Sequence, residues 1–146
     1  NRSMDEISQY FDPDKDGYLS EEEFDLFIRK LFHILREKLH FWRLFYQFLM
    51  QKDVREKFLN THLGPVNSVE AIYSNNNSPF LSRMTRILTE YFQRKRERKP
   101  AGYDPVLDLN LFIYTVEGFG MVTVYMDEVD ELYYKKTIDK IIELYK

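Results

Sequence analysis

Six residues in one short acidic segment have the types and the spacing needed to bind a divalent cation: Asp12, Asp14, Asp16, Gly17, Tyr18 and Glu23. The aspartates and Glu23 would supply carboxylate oxygens, and Tyr18 would supply its backbone carbonyl. Gly17 would allow the sharp turn that wraps these oxygens around one point. Calcium prefers about six to eight oxygen ligands, so the segment predicts a calcium site.

The same segment matches the pattern of an EF-hand loop, with apolar residues on both sides as in a helix–loop–helix unit. A plainer interpretation stays open, because Asp and Gly are common turn formers. Ser20 and Glu23 also have the spacing of a capping box, which predicts a helix start. The sequence contains no second loop of this kind, and no other motif requires a cofactor.

Aromatic and apolar residues on three predicted helices could enclose a pocket for a small molecule. They are Trp42, Phe45, Tyr46, Met84, Leu88, Tyr91, Phe112, Tyr114 and Phe119. Apolar walls with a few polar tips are the usual form of a ligand pocket, and Glu117 could orient a ligand there. The alternative is that these side chains simply form the core.

Composition and motifs remove several classes of function. The absence of cysteine excludes disulfides, thiolate zinc sites and a cysteine nucleophile. With 21 Lys and Arg against 24 Asp and Glu, the net charge of −3 argues against a free-standing nucleic-acid binder. The histidines do not have the spacing of a metal site, and no catalytic motif is present, so no enzyme is predicted. The basic run 94–99 is predicted to be the solvated end of a helix.

Helical periodicity dominates the chain and predicts an all-α fold. After the acidic turn, apolar residues recur at helical spacing from Phe24 to Leu35. Short helices are expected over 53–62 and 66–73. Longer helices are expected over 79–98, 105–125 and 131–145.

The predicted helix 105–125 is apolar on almost every face. Asp104 supplies an N-cap, and Pro105 suits the first helical position. Its length approaches that of a membrane span, but Glu117 lies in its middle with Gly118 and Gly120 nearby. We therefore expect a helix buried on two faces, with no membrane contact.

From Phe24 onward, the chain resembles the C-terminal regulatory domain of tetracycline-repressor (TetR) family transcription regulators. The resemblance covers about four-fifths of the chain, and it is the order of the landmarks that carries it. They are the residues 39–45 (LHFWRLF), 51–54 (QKDV), 104–105 (DP), 116–120 (VEGFG) and 141–145 (IIELY).

The resemblance implies an all-helical effector-binding and dimerisation domain over residues 24–146. Residues 1–23 would form the end of a connecting helix and the acidic turn. The last two helices of two subunits would pack as a four-helix bundle in a homodimer. Its interface would contain Leu109, Ile113, Val116, Gly120, Val124, Ile138, Ile141, Ile142 and Tyr145.

Two functions from different classes are therefore predicted. The first is the regulatory domain of a cytoplasmic TetR-like repressor that binds a small apolar or aromatic effector. Such a protein would bind DNA only through an N-terminal helix-turn-helix, and a chain that begins at Asn1 is expected to be a fragment lacking it. The second is a calcium-binding, EF-hand-containing helical protein.

Overall fold

The computed structural model describes residue 9 and residues 11–49, 79–126 and 128–146. Within these residues it contains α-helices and no strand, which confirms the all-α prediction. The helices are α1 (Glu21–Glu37), α2 (Leu39–Leu49), α3 (Pro79–Arg94), α4 (Pro105–Tyr125) and α5 (Glu131–Tyr145). A 3₁₀ turn, Lys95–Arg98, follows α3. The short helices predicted over 53–62 and 66–73 lie outside the described residues.

Side-chain caps determine where three of these helices begin. The hydroxyl of Ser20 accepts a hydrogen bond from the backbone N–H of Glu23 at 3.1 Å. The carboxylate of Glu23 accepts one from the N–H of Ser20 at 2.9 Å, so the predicted capping box at α1 is confirmed. Asp104 and Asp130 accept backbone N–H groups from the first turns of α4 and α5.

The chain divides into two compact units, the first formed by residues 1–46 and 114–146 and the second by residues 47–113. The predicted boundary between residues 23 and 24 stays a prediction. The acidic turn belongs with α1, because Phe11 and Leu19 are both buried in the core. The ring of Phe11 lies 4.9 Å from that of Phe27 on α1.

The first unit is organised around the ring of Tyr134 on α5. This ring stacks on Phe119 of α4 at 5.5 Å, and Phe119 meets Phe32 of α1 edge-on at 5.2 Å. The hydroxyl of Tyr134 donates to the backbone carbonyl of Phe32 at 3.1 Å. The guanidinium of Arg36 lies 4.8 Å above the same ring and bonds Glu131 at 2.6 Å. Apolar contact therefore joins α1, α4 and α5, with polar groups fixing their register.

The second unit buries a lysine that the sequence pattern had assigned to solvent. Lys95 is only 2% exposed, so the prediction of a fully solvated basic run was wrong at this position. Its ammonium lies 3.3 Å from the carboxylate of Asp108 and 4.3 Å from the ring centre of Phe92. Tyr103 donates to the same oxygen of Asp108 at 2.5 Å. The run of basic residues could not reveal this burial, because the ion-pair partner Asp108 lies 13 positions further along the chain, on α4.

Helix α4 buries one face and leaves another exposed. Of its most apolar 18-residue window, whose mean hydropathy is 1.2, only 22% is buried, so the predicted burial on two faces is not observed. By length and composition alone this helix could cross a membrane. Its large exposed apolar residues are Leu107, Leu111, Tyr114, Val122 and Tyr125.

Replacing Lys95 by alanine should lower the free energy of unfolding by about 2–3 kcal/mol, because it removes a buried ion-pair partner and the packed stem of the side chain. Lys99→Ala is the matched control, since Lys99 belongs to the same basic run but is exposed. Its effect should stay within about 0.5 kcal/mol. Urea denaturation measures both, and equal losses would contradict the burial of Lys95.

Candidate functional site

Three carboxylates of the acidic turn converge on one point. Ligand oxygens of Asp12, Asp14 and Asp16 all lie within 4.8 Å of one another. Two oxygens bound to the same calcium ion can be at most about 5 Å apart, since each lies about 2.3–2.6 Å from it. Asp12 is buried, whereas the other two are exposed. The donor set and its spacing therefore fit a hard cation.

The backbone of the turn is already shaped like a wrapped loop. Gly17 has a φ of +74°, and its N–H donates to the Asp12 carboxylate at 3.1 Å. The N–H of Tyr18 donates to Asp16 at 2.9 Å, and this bond lowers the pKa of Asp16. Desolvation raises the pKa of Asp14, and so do the hydrogen bonds that its protonated carboxyl donates to Asp16 and Asp12. The crowding of negative charge is relieved most directly by a cation.

Glu23 lies in the predicted ligand set but takes part in the helix cap instead. Its carboxylate is bonded to the N–H of Ser20 and is not one of the converging oxygens. The structure thus brings together three of the predicted ligand side chains, and the fourth holds the start of α1. Binding a cation through Glu23 would require its release from Ser20.

The predicted pocket residues fall into both compact units. Four of them belong to the first unit: Trp42, Tyr46, Tyr114 and Phe119. Of these four residues, only Tyr114 is exposed. The side chain of Phe45 lies outside the described part of the chain.

In the second unit, Leu88, Tyr91 and Phe112 are buried and Met84 is half-buried. The ring of Phe92 lies 5.7 Å from that of Tyr91 and 5.5 Å from that of Phe112. The three buried residues therefore contribute to the core of that unit, and the pocket stays a prediction.

None of the predicted dimer-interface residues is exposed. Six are buried within the chain: Leu109, Gly120, Val124, Ile138, Ile141 and Ile142. Ile113, Val116 and Tyr145 are half-buried, and the Tyr145 hydroxyl lies 3.0 Å from that of Thr115. The six buried positions contribute to the chain's own core. An apolar stripe looks the same in sequence whether its partner is in the same chain or another, so the place of these residues in a dimer interface stays a prediction. The large exposed apolar residues of α4 lie on its other face.

Glu117 is the most unusual ionisable residue of α4. It is half-buried in an apolar helix, and burial raises its pKa to about 7. Its charge, added to the larger effect of burial, raises the pKa of Tyr46 on α2 to about 12. A Cβ atom at Gly120, one turn after Glu117, would lie 3.1 Å from the Tyr46 hydroxyl. The two helices therefore approach closely beside this carboxylate.

A cleft of about 560 Å³ between α1 and α5 was not foreseen from the sequence. It is lined by Arg29, His33, Arg36, Glu37, Glu131, Tyr134, Lys135 and Ile138. Arg29 binds Asp139 at 2.7 Å and Arg36 binds Glu131 at 2.6 Å, so each guanidinium of the cleft is already paired with a carboxylate of α5. No local pattern could predict this cleft, because it depends on which helix packs against α1.

Searches of protein families, curated proteins and solved structures found no match to this chain. Its function therefore has to be argued from its own residues.

Glu117→Gln should stabilise the protein at about pH 8 by up to roughly 3 kcal/mol and have little effect near pH 4. The folded-state pKa of about 7 lies above the ordinary value of 4.5, so folding opposes ionisation. In acid both states are protonated and no penalty exists. The penalty grows as pH rises through this window and is complete above the folded-state pKa. Urea titrations across pH measure it.

The control is Glu128→Gln, which removes an exposed carboxylate. The difference between this variant and the wild type should stay small at every pH. A gain from Glu117→Gln that is the same in acid and in base would show that ionisation of Glu117 is not its cause.

Proposed function

We propose that this chain is the effector-binding, dimerising domain of a TetR-like transcription regulator. The observation that supports this best is the apolar face that α4 leaves exposed. In the C-terminal half of the helix, Tyr114, Val122 and Tyr125 are exposed at positions that follow one helical face, with Gly118 between them. Helix α5 adds the exposed residues Leu132, Tyr133 and Leu144.

A second copy of the chain is the occupant that suits this face. A closed two-fold dimer uses the same patch on both partners, so one apolar patch suffices. Gly118 has no side chain, and a Cβ there would meet nothing within 4 Å. A partner helix could therefore approach the backbone closely at this point. Because this face is apolar, it also suits contact with the same apolar face on α4 and α5 of a partner, as in the predicted four-helix bundle.

The mechanism follows from coupling between a ligand and the dimer. An effector that binds one arrangement of the helices more tightly shifts the population toward it. In a dimer this shift changes the separation of two DNA-binding domains, which the resemblance places ahead of this chain. Because DNA half-sites have a fixed spacing, a changed separation weakens operator binding.

Val122→Glu should convert a dimer of the wild-type chain into a monomer, since a charge would be buried in the centre of the shared apolar face. Light scattering after size exclusion measures this as a fall from twice 17.8 kDa to 17.8 kDa.

Leu26→Glu is the matched control, because Leu26 is also an exposed apolar residue but lies on α1. The dimer should persist in that variant. A wild-type chain that stays monomeric at high concentration would overturn the dimer, as would equal dissociation by both variants.

Calcium binding is a second candidate, favoured by the three converging carboxylates of the acidic turn. Asp12, Asp14 and Asp16 would hold the ion, together with the backbone carbonyl of Tyr18. Glu23 would join as a bidentate ligand after leaving Ser20. The ion would then link the turn to the first residues of α1.

Calorimetric titration with Ca²⁺ tests this candidate. Glu23→Gln should weaken binding by about tenfold or more, because an amide replaces the charged bidentate ligand. Glutamine can still complete the capping box, so the start of α1 should be preserved. Glu22→Gln, in the neighbouring exposed residue, should bind calcium like the wild type. Absence of heat at about 1 mM Ca²⁺ would rule the site out.

A further inference from the structure

The cleft between α1 and α5 is bounded by two ion pairs that join these helices. Arg29 of α1 bonds Asp139 of α5 at 2.7 Å, and Arg36 bonds Glu131 at 2.6 Å, so the helices are antiparallel. Seven residues separate the two arginines, which corresponds to about 10 Å along α1. The volume of the cleft, about 560 Å³, lies within the usual range of small-molecule sites.

The surface between the two ion pairs includes an apolar wall. Tyr134 and Ile138 line the cleft and are otherwise buried, with exposed fractions of 9% and 7%. The position of the Tyr134 ring is fixed by its hydrogen bond to the carbonyl of Phe32 and by its stacking on Phe119. A ligand would therefore meet an apolar surface that is already ordered, which lowers the entropic cost of binding.

Lys135 contributes a positive charge to the same cleft. Among the residues that the structure describes, its ammonium makes no hydrogen bond and no ion pair. Both guanidiniums of the cleft are paired with carboxylates, and His33 lies 3.0 Å from the carboxylate of Glu37. Lys135 lies one helical turn after Glu131 and three residues before Ile138, so it stands between the two ion pairs and beside the apolar wall.

We propose that this cleft binds a compact monocarboxylate with an apolar body. The carboxylate pairs with Lys135, and the apolar body lies against Ile138 and Tyr134. The inference goes beyond the proposed function, because no residue lining the cleft belongs to the predicted effector pocket. The cleft also lies within the first compact unit, so ligand binding there does not depend on the proposed dimer.

The charges of the cleft select this class of ligand. One unpartnered ammonium neutralises one negative charge, whereas a second negative charge would be repelled by Glu37 and Glu131. A cation of the same shape would be repelled by Lys135. Ile138 lies toward the Arg29 end of the cleft and Glu37 lies toward the other end, so the apolar body extends away from Glu37.

The test compares 2-naphthoate, 2-naphthamide and 2-naphthamidine, which have similar shapes and are negative, neutral and positive. Two-dimensional NMR of the 146-residue chain follows their binding at the backbone amides of α1 and α5. The wild type should bind naphthoate about fivefold more tightly than naphthamide, as a partly exposed charge pair allows, and naphthamidine most weakly. Lys135→Gln should reduce the affinity for naphthoate to that for naphthamide. Lys136→Gln, in an exposed lysine outside the cleft, should leave it unchanged.

Glu37→Gln provides a second variant, since it removes a negative charge from the cleft and should strengthen naphthoate binding by about twofold. Equal affinity for the three probes in the wild type would overturn the inference, as would no binding or an equal loss in both lysine variants. So would weaker binding in Glu37→Gln, or amide shifts confined to other helices. The mass of the chain in solution tests the dimer separately: naphthoate binding by a monomer supports the cleft alone, and a dimer that does not bind naphthoate supports the dimer alone.

Discussion

The contact of Tyr134 with Phe119 and Phe32 is the constraint on which the first unit depends. These rings join the first, fourth and fifth described helices, and the buried hydroxyl of Tyr134 reaches a backbone carbonyl of α1. Aromatic packing supplies the apolar burial, while the hydrogen bond restricts how the helices can slide. The ion pair of Arg36 with Glu131 is exposed and adds little to the free energy of folding. The ion pair is therefore a consequence of the aromatic packing more than its cause.

Because this contact buries one face of α4, only the opposite face of the helix is left exposed. Phe119 and Gly120 point into the first unit, and the opposite face exposes Tyr114 and Val122. Glu117 lies between these two regions and is neither fully buried nor freely solvated. Because burial disfavours the charged form of a carboxylate, Glu117 destabilises the fold when it is ionised.

The acidic turn has a structural role whether or not it binds an ion. Phe11 and Leu19 anchor its ends in the core, and Ser20 and Glu23 cap α1. Asp12 is buried beside the N–H of Gly17. A calcium ion would therefore act on a turn that is already shaped, and it would compete with the helix cap for Glu23. The two roles compete because a carboxylate oxygen is the kind of atom that can either accept a hydrogen bond from an N–H group or ligate a cation.

The sequence by itself determined the local features of this protein. Caps at Ser20 and Asp104 predicted helix starts, because a cap depends on residues only a few positions apart. Tertiary structure alone decided which apolar face is internal: Ile138 and Val124 are core positions, whereas Val122 is exposed. It also decided that Lys95 is buried against Asp108. Periodicity reports that a face is apolar, but the partner that covers it comes from a distant part of the chain, and only the folded packing specifies that partner.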